Sequence, residues 1–163
     1  MDGNGRMGRL LAILLLIERG PLSDHFMVLS PYLEARCQPY QDLLAETSAT
    51  GDFDPWVRFF AAAVSAEAEA ARNRAGKALA YRKALVDRLR AQGLKGTIIE
   101  VAESLVYLPV LSAGAVARQC NVAFQTANRV IKRLVDESVL SEVTGRGYGR
   151  VFAAREVLQL LQA

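Results

Sequence analysis

Side chains that hold metals or move protons are scarce in this sequence. The two cysteines, Cys37 and Cys120, lie far apart and match no metal-ligand spacing, which leaves them as reduced thiols of a cytosolic chain. The single histidine, His25, stands in a loop or helix start well away from the first nine residues. Long apolar runs are missing too. The longest block, 10–17, is too short to span a bilayer, so no membrane partner is expected. It follows a charged, glycine-rich start without a small-residue cleavage site, which excludes an ordinary signal peptide. Charge of one sign is also lacking: 20 Lys and Arg face 17 Asp and Glu, and the net +3 permits a nucleic-acid partner without requiring one. Apolar residues make up 52% of the chain, enough for a packed protein of one or two domains and too many for disorder.

The chemistry that is present is concentrated in the first nine residues, Met-Asp-Gly-Asn-Gly-Arg-Met-Gly-Arg. Glycines let a backbone turn so that its N–H groups converge on an anion. A helix beginning beside such a loop adds the positive end of its dipole. Arg6 and Arg9, three apart, reach phosphate oxygens from one helix face. Asp2, at the loop entrance, is placed to hold a magnesium ion that bridges phosphates. A polyphosphate site with a divalent metal is the expectation. A plain turn before a charged helix start is the blander alternative for the glycines alone.

Asp-Gly-Asn-Gly-Arg-x-x-Arg, with every specified position filled from 2 to 9, resembles the motif of the Fic (Fic/Doc) family of AMP transferases, which reads His-Pro-Phe-x-Asp/Glu-Gly-Asn-Gly-Arg-x-x-Arg. Leu29-Ser30-Pro31-Tyr32 and Asp54-Pro55-Trp56-Val57-Arg58-Phe59-Phe60 are similar to the later helices of that family. The resemblance implies ATP and Mg2+ as ligands, with the metal on Asp2. It places the nucleotide's phosphates against Gly3, Asn4, Gly5, Arg6 and Arg9, and makes a target protein the acceptor of AMP. The motif histidine, the family's catalytic base, would sit three places before Met1, and the target-holding region that precedes the motif is likewise not in the sequence. The chain therefore reads as the C-terminal part of a Fic protein, without a catalytic residue of its own. The inhibitory helix of the family, Ser/Thr-x-x-x-Glu-Gly/Asn, is matched in spacing by Ser65 and Glu69, but Ala70 fills its last position and breaks the match.

Along the chain, 6–19 is apolar nearly all round, as in a helix surrounded by others. Gly20-Pro21 ends it. Ser23-Asp24 caps a short helix to about Leu29. Ser30-Pro31 opens a helix to about Thr47, with Tyr32, Leu33, Cys37, Tyr40, Leu43 and Leu44 as its apolar side and Pro39 costing it a kink or a turn. A loop is expected over 48–51. Asp54-Pro55 then starts a long helix to about Arg90, with Trp56, Phe59, Phe60, Ala63 and Val64 on one face. Gly93 and Gly96 mark a domain boundary, which gives 1–92 as the partial Fic helical bundle with a connecting helix and 93–163 as a second domain.

The second domain reads as helix (Ile98, Ile99, Val101, Ala102, Leu105 and Val106 inward), short helix from Ser112 (Ala115, Val116 and Ala117 inward), tight turn and third helix. On the third helix Ala127, Val130, Ile131, Leu134 and Val135 face inward. A hairpin over 140–153 and a closing helix follow. That order resembles a winged helix-turn-helix, so the fold class is mainly α with a small β-hairpin wing. Gln125, Thr126, Asn128, Arg129 and Lys132 on the third helix, with Arg146 and Arg150 on the wing, are candidate DNA contacts, because Arg, Asn and Gln read base edges. Over 118–155 seven basic residues against three acids leave +4. A protein-interaction role for the same domain stands beside DNA binding, since fold does not decide function. Three functions follow: the C-terminal part of a protein adenylyltransferase, a DNA-binding regulator, and a non-catalytic scaffold. A homodimer is also expected, because the apolar residues over 10–17 cannot all face the helices that remain in this chain.

Overall fold

The computed structural model describes residues 4–20, 29–145 and 148–162; of Asn4, Gly5, Arg6 and Gln162 the backbone alone is described. The protein is mainly helical with one small three-stranded antiparallel sheet. It divides into two compact units, Met1–Asn73 and Arg74–Ala163.

In the first unit, α1 (Asn4–Glu18) ends at Gly20, whose φ of 88° is the left-handed conformation glycine adopts without a Cβ penalty. The short helix expected from Ser23 lies outside the described residues. The single helix expected from Ser30 is two, α2 (Ser30–Ala35) and α3 (Cys37–Thr50), separated by Arg36 at φ −126°. Pro39 accounts for the break. Its ring would clash with the Ala35 carbonyl in a continuous helix, whereas in the first turn of α3 its missing N–H costs nothing.

The loop expected over 48–51 is instead the end of α3. Ser48 Oγ and Thr50 Oγ1 donate to the Leu44 and Glu46 carbonyls at 2.9 Å, and Gly51 caps the helix with φ 74°. α4 (Asp54–Ala91) begins where Asp52 Oδ1 accepts from the Asp54 N–H at 3.0 Å. Among the described residues the core of this unit is Leu29, Leu33 and Ala63, with Ile13, Leu16, Tyr32, Tyr40, Phe59, Phe60 and Val64 packed against it. Phe59 lies edge-on to Tyr32 at 6.0 Å, and Trp56 stacks on Phe60 at 5.2 Å. Cys37 and Leu44, expected on the apolar side of α3, are exposed.

The second unit begins inside α4, earlier than the boundary read at Gly93. Leu85, Val86 and Leu89 belong to its core, so the last turns of α4 are part of the domain they lead into. Gly93, at φ 78°, then reverses the chain. Leu94 N–H donates to the Leu89 carbonyl at 3.1 Å and Gly93 N–H to that of Arg90 at 2.9 Å, the paired bonds of a Schellman cap.

α5 (Thr97–Ser104) buries Ile98, Ile99, Val101 and Ala102. A strand not expected from the sequence follows, β1 (Val110–Ser112). α6 (Ala113–Gln119) starts on Ser112, whose Oγ accepts from Ala115 N–H at 3.3 Å. Its deeply buried residues are Ala113 and Val116, while the expected Ala115 and Ala117 are half-buried. α7 (Phe124–Asp136) buries Ala127, Val130, Ile131 and Leu134 as expected. β2 (Ser141–Glu142), β3 (Val151–Ala153) and α8 (Arg155–Gln162) complete the unit. Strand order is β1-β3-β2: β3 pairs Leu111 with Phe152 on one side and Glu142 with Phe152 on the other. β1 escaped a reading by alternation because it is three residues long and only Leu111 is buried.

Candidate functional site

The two candidate sites fall in different units. In the first, Asp2 and Gly3 lie outside the described residues. Asn4 and Gly5 form the opening turn of α1, where a loop was expected, so the helix starts two residues earlier than the sequence suggested. The first amides of a helix have no intrahelical acceptor. Arg6 and Arg9 thus occupy the first two turns, one turn apart, and Arg9 is half-buried. Among the described residues no three His, Cys, Asp or Glu side chains gather as a metal-ligand set.

The rest of α1 carries two apolar stripes. Ile13 and Leu16 face the unit's core. Met7, Leu10, Leu11 and Leu14, spaced by three and four residues, are 68%, 54%, 58% and 52% exposed.

In the second unit, α7 presents one coherent outward face. Gln125, Asn128, Arg129 and Lys132 are exposed opposite the buried stripe, and Thr126 is half-buried. The turn before the helix is set by Asn121 at φ 50°, a conformation asparagine tolerates; Val122 N–H donates to the Ala117 carbonyl at 3.0 Å. Phe124, in the first turn of α7, is 59% exposed and was not among the residues singled out from sequence. Its exposure could not be read from periodicity, because it stands one turn before Ala127, on the spacing of the buried stripe.

The β2–β3 segment is more committed than its charge suggests. Arg150 donates to Glu142 at 2.5 Å and lies over the Phe152 ring at 5.1 Å. The hydrogen bond to Arg150 holds the Glu142 carboxyl below its usual range, and Glu142 in turn raises the Arg150 guanidinium. Arg133 pairs with Glu137 at 2.7 Å, and Arg155 Nε donates to Ser141 Oγ at 2.8 Å. Three of the basic residues that gave this segment its +4 are therefore engaged locally, which leaves the exposed Arg129 and Lys132 as the cations of the α7 face. Arg146 lies outside the described residues. Cross-strand and i,i+4 pairings of this kind depend on register, which the order of residues alone does not specify.

Other titratable groups of this unit are occupied structurally. Burial, reinforced by the Glu156 carboxylate, pushes the Tyr81 hydroxyl up to about 12. Burial and Glu100 raise the Cys120 thiol, which suits an inert side chain. In the groove bounded by Arg90, Lys95, Glu100 and Glu103, Arg90 is taken by Glu103 at 3.2 Å. No protein-family model matches the sequence.

Proposed function

We propose that this chain is the C-terminal part of a Fic-type protein adenylyltransferase. The supporting observation is the placement of Arg6 and Arg9 one turn apart at the start of α1, behind first-turn amides that lack intrahelical acceptors. In this reading the two arginines and the Asn4 and Gly5 backbone hold the phosphates of ATP, and Asp2 holds Mg2+, which offsets phosphate charge when bound. AMP passes to a hydroxyl of a target protein and diphosphate leaves. Its negative charge is stabilised by the same arginines and amides. The base that takes the hydroxyl proton is the motif histidine, which this sequence does not contain. Titration calorimetry with ATP and magnesium is expected to show faint binding that disappears in an Arg6→Ala, Arg9→Ala double variant. Tight binding indifferent to that change would place the phosphates elsewhere.

A second reading rests on the outward face of α7. The second unit is a winged helix-turn-helix that binds duplex DNA, with α7 in the major groove and Gln125, Asn128 and Arg129 toward base edges. Its support is the segregation of that face: four polar or basic side chains exposed on one side, four apolar ones buried on the other. Arg129→Ala is expected to weaken specific binding by ~1–3 kcal/mol. The absence of any gel shift at low salt, with the protein's own promoter as probe, would transfer this face to a protein partner.

The exposed stripe of α1 supports self-association. Burying a large aliphatic side chain is worth ~1.5–3 kcal/mol, and a two-fold pair is the commonest way to do it. Light scattering at micromolar concentration is expected to report a dimer, and Leu11→Glu with Leu14→Glu a monomer. A monomer for the unaltered chain would overturn the pairing.

A further inference from the structure

The first turn of α7 carries an aromatic ring where a reading helix meets bases most closely. Phe124 is 59% exposed, belongs to neither core cluster, and is followed one turn later, on the same flank, by the exposed Asn128. When a helix of this arrangement lies in a major groove, its N-terminal residues contact base edges. An exposed phenylalanine offers no hydrogen bond, so the feature it complements there is the apolar one, the C5-methyl group of thymine. Asparagine one turn on complements the N6 and N7 edge of adenine.

The same ring has no matching partner in double-stranded RNA, whose deep, narrow major groove side chains cannot read and whose uracil lacks the methyl group. Arg133 and Arg150 are paired locally with Glu137 and Glu142, while Arg129 and Lys132 remain exposed beside Asn128 as cations for phosphate contact.

We propose that Phe124 is a specificity-determining residue for duplex DNA, reading the methyl group of a thymine while Asn128 reads an adenine beside it. The inference rests on the DNA-binding reading of the second unit, and its test separates the two. The full chain is used to enrich binders from a pool of random duplexes at low salt. Each thymine of the enriched site is then replaced by deoxyuridine, which removes one methyl group and nothing else, and affinity is measured by fluorescence anisotropy.

One thymine is expected to respond, with affinity falling about fourfold, the worth of one buried methyl-sized group. The Phe124→Ala variant is expected to bind the thymine and deoxyuridine duplexes equally, while keeping its circular dichroism spectrum and its binding to unselected DNA. The deoxyuridine swap needs no altered protein, so the first result does not depend on how the variant folds. Failure to bind any duplex at low salt overturns the DNA reading itself. Sequence-selective binding with no thymine responding, or with the response surviving in Phe124→Ala, keeps that reading and overturns the role of Phe124. In the latter case another residue reads the methyl group.

Discussion

A fragment spanning Arg74–Ala163 is expected to fold cooperatively by itself, and one spanning 93–163 is expected not to. The difference between them is the last part of α4, which supplies Leu85, Val86 and Leu89 to the core at 4%, 5% and 0% exposure. Each such side chain is worth ~1.5–3 kcal/mol of burial. Three together approach the whole stability of an ordinary domain, ~5–15 kcal/mol. The shorter fragment also begins at the cap: Gly93 and Leu94 lose the Arg90 and Leu89 carbonyls their N–H groups bond. Urea unfolding followed by circular dichroism distinguishes the two outcomes. Within the longer fragment Leu89→Ala is expected to cost ~2–5 kcal/mol, because a fully enclosed site collapses little around the cavity. A cooperative transition at a similar midpoint for 93–163 would show that α4 is only a connector, as the glycines at 93 and 96 suggested.

Incubated with labelled ATP, magnesium and a candidate target, this chain is expected to leave no label on protein. A general base typically contributes ~10²–10⁴ in rate. The residues that would carry phosphate binding in the first unit, Arg6 and Arg9, can stabilise charge on the departing diphosphate but cannot accept the hydroxyl proton, since a guanidinium stays protonated. A chain extended upstream with His-Pro-Phe and the helices before it is expected to restore transfer, and an alanine at that histidine to abolish it again. Robust labelling by the unextended chain would overturn the assignment of the base.

Residue types and spacing were enough to locate most helices of the second unit. Ile98, Ile99, Val101 and Ala102 on α5 and Ala127, Val130, Ile131 and Leu134 on α7 recur at helical intervals, and each is buried as its spacing implies. Ser112 announced its cap, and Pro39 its disruption of the helix around it. The residues proposed to hold phosphate stand out for a different reason: an acid, Gly-Asn-Gly and two spaced arginines form a local sequence pattern that needs no tertiary partner to be noticed. The α7 face was legible as the complement of its apolar stripe.

What sequence could not carry is whatever depends on a distant partner. β1 exists because β3 pairs with it, Leu111 opposite Phe152, and nothing in three residues records that partner. The split between units falls within an unbroken helix, since it is the packing of Leu85, Val86 and Leu89 against α5 to α8 residues that assigns them, not a change in local conformation. The charge of the β2–β3 segment is decided the same way: Arg150 looked like a phosphate contact as an isolated cation, and β2–β3 register delivers Glu142 to it instead. By itself, then, the sequence determined helix periodicity, caps, breaks and the identity of its chemical groups, because these act over one or two turns. Tertiary structure alone decided which apolar side chains share a core, which charges cancel, and that Phe124 stands outside the core, because those outcomes depend on register and packing between segments far apart in the chain.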